Sequence, residues 1–233
     1  MRVEPGASFP SIMGYSTLGR PIPVGRFGRQ DGGCVLLIGG VHGDEPTSTE
    51  AIVALVGSWM SVPPAGLPRV LVVPALNPDG LSAGTKNSAR DVDLNRNWPS
   101  RNFTREHGPG YDPGSAPLSE PESRALAELV ERESPTAIIA VHAPFACINP
   151  DGPAAAWADR VSGACGWPAV ADLGYPTPGS LGSWLGVDRG LPMLTIEFPP
   201  GPLVAFSEQA QRCLQAAVSL APIAGVVPTD YNL

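Results

Sequence analysis

The sequence has almost no lysine, no long apolar run and no signal-like N-terminus, and each absence excludes a class of protein. Lys86 is the only lysine and the net charge is −7, which argues against a surface that binds nucleic acid. No stretch offers the roughly 18 uninterrupted apolar residues that a membrane-spanning helix needs. The N-terminus has no apolar run behind a basic start, so we expect no signal peptide. The net charge does not by itself identify a substrate.

Cysteine is also scarce, and its pattern is uninformative for metal binding. The four cysteines, Cys34, Cys147, Cys165 and Cys213, are scattered and include no Cys-x-x-Cys pair. Two of them sit in apolar runs. We therefore interpret them as buried free thiols, which fits a reducing compartment.

The 233 residues, 43% of them hydrophobic, suffice for the core of one α/β domain, and we predict a single domain over residues 1–233. Apolar runs predict buried strands at 34–39, 70–75, 137–141 and 194–198. Helical patterns cover 46–60, 119–133 and 204–220. This alternation predicts a mixed, largely parallel sheet with helices on both faces. Residues 77–117 show no clear periodicity, which indicates a long functional or disordered loop.

Two histidines and one glutamate form a candidate metal site. His42 and Glu45 lie in Gly-Gly-Val-His-Gly-Asp-Glu-Pro, directly after the first predicted strand, so both side chains can converge from one tight turn. His142 ends the third predicted strand and is the best candidate for a third ligand. A catalytic zinc needs three such ligands and one open position, so we predict one Zn²⁺ per chain. The remaining histidine, His107, is expected on a loop surface.

Glu197 is the candidate general base. It lies near the end of the last predicted strand, between Ile196 and Phe198, and ligands of open α/β sheets bind at such strand ends. Apolar neighbours would raise the pKa of this carboxyl toward the range of a general base. The alternative interpretation is a strand-end glutamate that faces solvent.

The segment Asn95-Arg96-Asn97 places a fixed cation between two amides. Such a group is suited to bidentate recognition of a carboxylate. The alternative is an arginine in a structural salt bridge of the loop.

Together these motifs resemble those of the zinc carboxypeptidase family, and the resemblance runs from Gly19 to Glu197. In that family, His-x-x-Glu and a later histidine bind zinc, Asn-Arg-Asn binds the terminal carboxylate of the substrate, and a strand-end glutamate activates water. The resemblance therefore implies that His42, Glu45 and His142 bind the metal. It also implies that Asn95 and Arg96 bind substrate and that Glu197 is catalytic.

A bacterial branch of this family, the murein peptide amidases, resembles the chain over longer stretches. These include Asn77-Pro78-Asp79-Gly80, Leu118-Ser119-Glu120-Pro121-Glu122 and Tyr175-Pro176-Thr177-Pro178-Gly179-Ser180. The resemblance implies cytoplasmic hydrolysis of the amide between γ-D-glutamate and meso-diaminopimelate in recycled cell-wall peptides. The expected substrate is thus a small peptide with a free C-terminal carboxylate. The oligomeric state stays open.

Three further roles follow from the resemblance. The family's carbonyl-polarising arginine matches Lys86 here, and Arg90 nearby is an alternative. Tyr175 matches a mobile active-site tyrosine of digestive carboxypeptidases, with a packed loop aromatic as the alternative. Gly182 matches the position at the base of the pocket for the substrate side chain, where a glycine leaves room. The alternative is a turn glycine that is needed for its positive φ. Asp151 and Ser183 are alternative polar partners for a distal amine in that pocket, and the sequence does not choose between them.

Two other functions compete with the peptidase. An acylamino-acid deacylase of the aspartoacylase and succinylglutamate desuccinylase kind shares His-Gly-Asp/Asn-Glu, but the Asn-Arg-Asn-Trp context favours the peptidase. A non-catalytic carboxylate-binding protein is disfavoured by the intact ligand set together with Glu197.

Overall fold

The computed structural model describes residues 8–223, and its centre is one seven-stranded sheet. In chain order the strands are β1 (Ser8–Tyr15), β2 (Pro21–Phe27), β3 (Cys34–Ile38), β4 (Arg69–Val73), β5 (Ala137–His142), β6 (Cys147–Asp151) and β7 (Met193–Glu197). Their order across the sheet is β1-β2-β4-β3-β5-β7-β6. The sheet is mixed, as predicted, because its four central strands are parallel and the outer pairings are antiparallel.

The four predicted strands are confirmed as the central strands β3, β4, β5 and β7, each within two residues of its expected bounds. Helices cover both faces of these strands, so every residue of β3 and β5 is buried. Such strands appear in the sequence as continuous apolar runs, which made them predictable. The antiparallel strands were missed. β6 contains Pro150, which has no backbone N–H to donate a hydrogen bond to a neighbouring strand. A proline in an apolar run therefore indicates an edge strand or a loop and weakens the prediction of a strand.

Five α-helices accompany the sheet in the described residues: α1 (Pro46–Ser61), α2 (Pro78–Ala83), α3 (Pro121–Glu133), α4 (Ala155–Cys165) and α5 (Ser207–Ser219). The predicted helices correspond to α1, α3 and α5. The segment 77–117 is not structureless, because it contains α2 and a 3₁₀ turn at Leu94–Arg96. Asn77 caps α2 by accepting a hydrogen bond from the Gly80 amide.

The core has two halves, one on each face of the sheet. Side chains of α1, α4 and α5 pack on one face, and α3 with a π-helical turn at Gly182–Asp188 packs on the other. Alternate residues of β3 divide between the halves, as a pleated strand requires. All four cysteines are buried and free, which confirms the interpretation from the sequence.

Three polar side chains lie where the parallel strands end. His42 follows β3, His142 is the last residue of β5, and Glu197 is the last residue of β7. Carboxyl ends of parallel strands meet at one edge of a sheet, so the topology brings these groups together. None of the helices in residues 8–223 is long and apolar enough to cross a membrane.

Candidate active site

The turn that carries His42 packs tightly against α2. A Cβ on Gly43 would lie 1.9 Å from the carbonyl carbon of Gly80, and Gly40 adopts φ +57°. The turn therefore needs glycine at both positions, one for backbone approach and one for backbone conformation. This close packing fixes the backbone that carries His42.

His42, Glu45 and His142 come together as predicted. One ligand atom from each lies within 4.8 Å of the others. Glu45 joins the two imidazoles, with Oε1 2.7 Å from His42 Nδ1 and Oε2 3.0 Å from His142 Nδ1. Two imidazole nitrogens and a carboxylate are a donor set that zinc accepts, so the residues present fit one zinc ion.

Asp93 contacts the imidazole of His42, and it was missed as a site residue by sequence reasoning. Its Oδ1 lies 3.0 Å from His42 Nε2, and the carboxylate is fully buried. An acceptor at Nε2 keeps the proton there and leaves Nδ1 available to a metal. The signal was present in Asp93-Leu94-Asn95-Arg96-Asn97, but the contact between Asp93 and His42 spans 51 positions of sequence.

The charges of this cluster are strongly coupled. Burial alone would lower the pKa of His42, but Asp93 and Glu45 outweigh it and raise that pKa to about 9. Burial would raise the pKa of Glu45, yet His142 and His42 lower it to about 2. When no metal is bound, Glu45 is thus an anion and His42 a cation near neutral pH. A bound metal cation would take the place of a proton on His42.

Glu197 lies beside the metal cluster on the neighbouring strand. It is the register partner of His142 in the parallel pair of β5 and β7, and 4% of its surface is exposed. Burial is the largest cause of its raised pKa, and the charge of Glu45 adds to the effect. Its Oε2 accepts no hydrogen bond within residues 8–223. The solvent-facing alternative is wrong, because this carboxylate is buried and points into the cleft.

One cleft is lined by nine of the site residues predicted from the sequence. These residues are His42, Glu45, Lys86, Asn95, Arg96, His142, Tyr175, Gly182 and Glu197. His107 is absent from the lining and lies on a surface loop, where its side chain is 38% exposed. The cleft therefore combines the His42–Glu45–His142 cluster, the buried carboxylate of Glu197 and two cationic side chains.

Asn95 and Arg96 are held by the backbone around them. The Arg96 guanidinium donates to the carbonyl of Asn95 at 2.8 Å, and the Asn95 side chain accepts from the Leu181 amide at 3.0 Å. Asn97 differs from both, because its amide nitrogen donates to the Pro113 carbonyl at 2.7 Å inside the protein. The first two residues of the motif thus face the cleft and the third anchors a loop.

Lys86 and Arg90 have different surroundings. Lys86 Nζ lies 2.8 Å from Asp93 Oδ2 and lines the cleft. Arg90 is not among the lining residues; its side chain is 56% exposed and stands 4.0 Å from Glu120. Of the two candidates for the carbonyl-polarising cation, Lys86 therefore lies in the cleft and Arg90 does not.

Tyr175 and Gly182 also lie at the cleft. The Tyr175 ring is 38% exposed and stands 6.0 Å from that of Phe145. Gly182 has no positive φ, so the turn explanation for this glycine is wrong. A Cβ at Gly182 would lie 2.2 Å from Asp151 Oδ2, so the room it leaves is partly filled by that carboxylate.

Comparison with known proteins agrees with this geometry. The sequence model of the zinc carboxypeptidase family matches residues 3–149. Murein peptide amidase A of Escherichia coli strain K12 is 35% identical over 236 residues, covering 94% of this chain and 93% of that protein. The Vibrio campbellii protein of that name is 34% identical over 208 residues, covering 82% and 79%. The crystal structure of murein-tripeptide amidase MpaA from Escherichia coli O157 has a TM-score of 0.72 and 31% identity, and the match covers 98% of this chain and 95% of that one.

Proposed function

Since this chain belongs to the zinc carboxypeptidase family, we propose that it is a zinc-dependent amidase of cell-wall peptides. It is a hydrolytic enzyme, as its family and relatives indicate. The bond we assign to it joins γ-D-glutamate to a C-terminal meso-diaminopimelate. The observation that carries the proposal is the convergence of the metal cluster, Glu197 and Arg96 on one cleft.

We assign His42, Glu45 and His142 as the ligands of one zinc ion per chain. When bound there, zinc supplies Lewis acidity, which polarises a carbonyl and lowers the pKa of a water molecule. Glu197 then acts as the base: its Oε2 takes a proton from the attacking water and later gives that proton to the leaving amine nitrogen. A buried carboxyl with a raised pKa suits both transfers.

The cations of the cleft position the substrate. Arg96, with Asn95 beside it, binds the carboxylate of the leaving residue and fixes the register of the peptide. Lys86 stabilises the negative charge that develops on the scissile carbonyl oxygen. Tyr175, at the rim of the cleft, covers the bound peptide.

Asp151 places a carboxylate in the pocket for the substrate side chain. Its carboxylate lies against Gly182, and a Cβ on Gly186 would stand 2.4 Å from Asp151 Cβ. Burial raises the pKa of the Asp151 carboxyl, and no cation of residues 8–223 pairs with it. Ser183, by contrast, is already engaged, because its hydroxyl donates to the Thr177 carbonyl at 3.1 Å. An ammonium group at the far end of a substrate side chain would supply the missing partner of Asp151.

Asp151→Asn is expected to lower kcat/KM about 30-fold for a peptide ending in diaminopimelate, because the buried carboxylate–ammonium pair is lost. A matched peptide ending in 2-aminopimelate, which lacks the distal amine, should lose less than about threefold. Steady-state kinetics on both peptides checks this. Equal losses on the two peptides would remove Asp151 from substrate recognition.

Gly182→Ile provides a second test of the same pocket. The added side chain must displace the Asp151 carboxylate, so kcat/KM for the diaminopimelate peptide should fall far more than for an analogue ending in alanine. Zinc content should be unchanged. Equal losses would point to a backbone role of Gly182.

One assay separates the peptidase from the deacylase. We expect hydrolysis of a γ-D-glutamyl-diaminopimelate peptide and none of acetyl-aspartate by the purified, zinc-loaded protein. The opposite result would favour an acylamino-acid deacylase, and zinc binding without hydrolysis of either compound would favour a carboxylate-binding protein.

We further propose that residues 1–233 form one catalytic domain and that the enzyme acts in the cytoplasm. The single sheet with its two core halves supports the first proposal. The four free, buried thiols support the second, since a reducing compartment preserves them.

A further inference from the structure

Tyr111 contacts two cations of the cleft with the face of its ring. Lys86 Nζ lies 3.7 Å from the ring centroid, and Arg96 Cζ lies 5.2 Å from it. The face of an aromatic ring is negative, so it attracts each cation, whereas the two cations repel each other. Contact with one ring thus holds two mutually repelling cations, Lys86 and Arg96, close to each other.

The loop that carries Tyr111 is fastened to the same part of the site. Lys86 Nζ donates to the Gly110 carbonyl at 3.2 Å. The Asp93 amide donates to the Asp112 carbonyl at 2.8 Å. The residues on either side of Tyr111 therefore bind Lys86 and Asp93, and they hold the ring over the cleft.

Tyr111 is not a core residue, because it is 44% exposed and lines the cleft. Exposure alone assigns Tyr111 no role, because tyrosines are often partly exposed. Its two cationic contacts indicate a role in the site instead.

We infer that Tyr111 is a positioning residue that fixes Lys86 and Arg96 at the spacing required by a peptide's scissile carbonyl and terminal carboxylate. The inference rests on the proposed function, in which these two cations bind those two groups. The face of the ring carries the role and the phenol hydroxyl is dispensable.

The test compares Tyr111→Leu with Tyr111→Phe on two peptides that differ only in a terminal carboxylate or carboxamide. Tyr111→Leu removes the aromatic face, so the ratio of kcat/KM for carboxylate over carboxamide should fall about 3- to 5-fold, the size of one partly exposed cation–π contact. It should also lower kcat on both peptides, through Lys86. Tyr111→Phe should match the wild type in both respects.

Tyr15→Leu is the matched control, since Tyr15 is an exposed tyrosine of β1 outside the cleft lining. It should alter neither the ratio nor kcat. Melting temperature and zinc content of every variant establish that the fold and metal site are intact.

The outcomes separate this inference from the proposed function. A wild type without preference for the carboxylate peptide would remove the Arg96 clamp, and the inference with it. A wild type with that preference, but a Tyr111→Leu variant with an unchanged ratio, would overturn the role of Tyr111 alone. A Tyr111→Phe variant as impaired as Tyr111→Leu would assign the effect to the hydroxyl.

Discussion

Glu197→Gln is expected to bind zinc normally and to lower kcat by about 100-fold or more, because the amide cannot accept a proton from water. The change keeps the size of a side chain that is only 4% exposed, so the packing between β5 and β7 is preserved. Stopped assays on the diaminopimelate peptide, with zinc measured on the same sample, check the result.

Glu122→Gln is a suitable control for this variant. Glu122 is also a buried carboxylate whose pKa is raised mainly by burial, but it lies on α3, away from the cleft. Its glutamine variant should retain near-normal turnover. Near-normal turnover in Glu197→Gln itself would mean that another group is the base.

His142→Ala is expected to lose zinc, because only His42 and Glu45 would remain as protein ligands. We expect affinity to fall at least about 100-fold and activity to fall with it. Metal analysis after dialysis, followed by titration against a chromophoric chelator, measures both the stoichiometry and the affinity.

Two variants make the zinc result specific. His107→Ala removes the surface-loop histidine and should leave stoichiometry at one zinc per chain. His142→Gln keeps most of the side-chain volume at a position that is 3% exposed, so it separates loss of a ligand from a cavity in the core. Unchanged zinc affinity in both His142 variants would exclude this residue from the metal site.

The central sheet and the candidate metal cluster were predictable because their signals are local. β3 and β5 are continuous apolar runs, and His42 and His142 follow directly from where those runs end. His42 and Glu45 lie three positions apart, so one turn sets their relation. Strand polarity then brings His142 to the same edge of the sheet.

Other features depend on contacts that sequence position does not encode. The sequence could not choose Asp151 over Ser183, because Asp151 meets Gly182 only where the edge strand β6 packs against a π-helical turn, and Pro150 obscured β6. Tyr111 was not singled out because its ring meets Arg96 and Lys86 only after residues 77–117 fold back on themselves. A segment without periodicity gives no register from which such contacts can be inferred.

The pairing of His142 with Glu197 has a consequence for how this protein tolerates insertions and deletions. The spacing of the two side chains is set by the ladder between β5 and β7, and a slip of one residue would turn Glu197 to the opposite face of the sheet. A change of length in the short turn before β7, at Gly190, should therefore abolish activity even if the protein still folds. Length changes near Gly32, in the exposed turn between β2 and β3, should be far better tolerated. Natural and engineered variation in chain length should accordingly be concentrated in exposed turns away from the cleft and be rare next to β7.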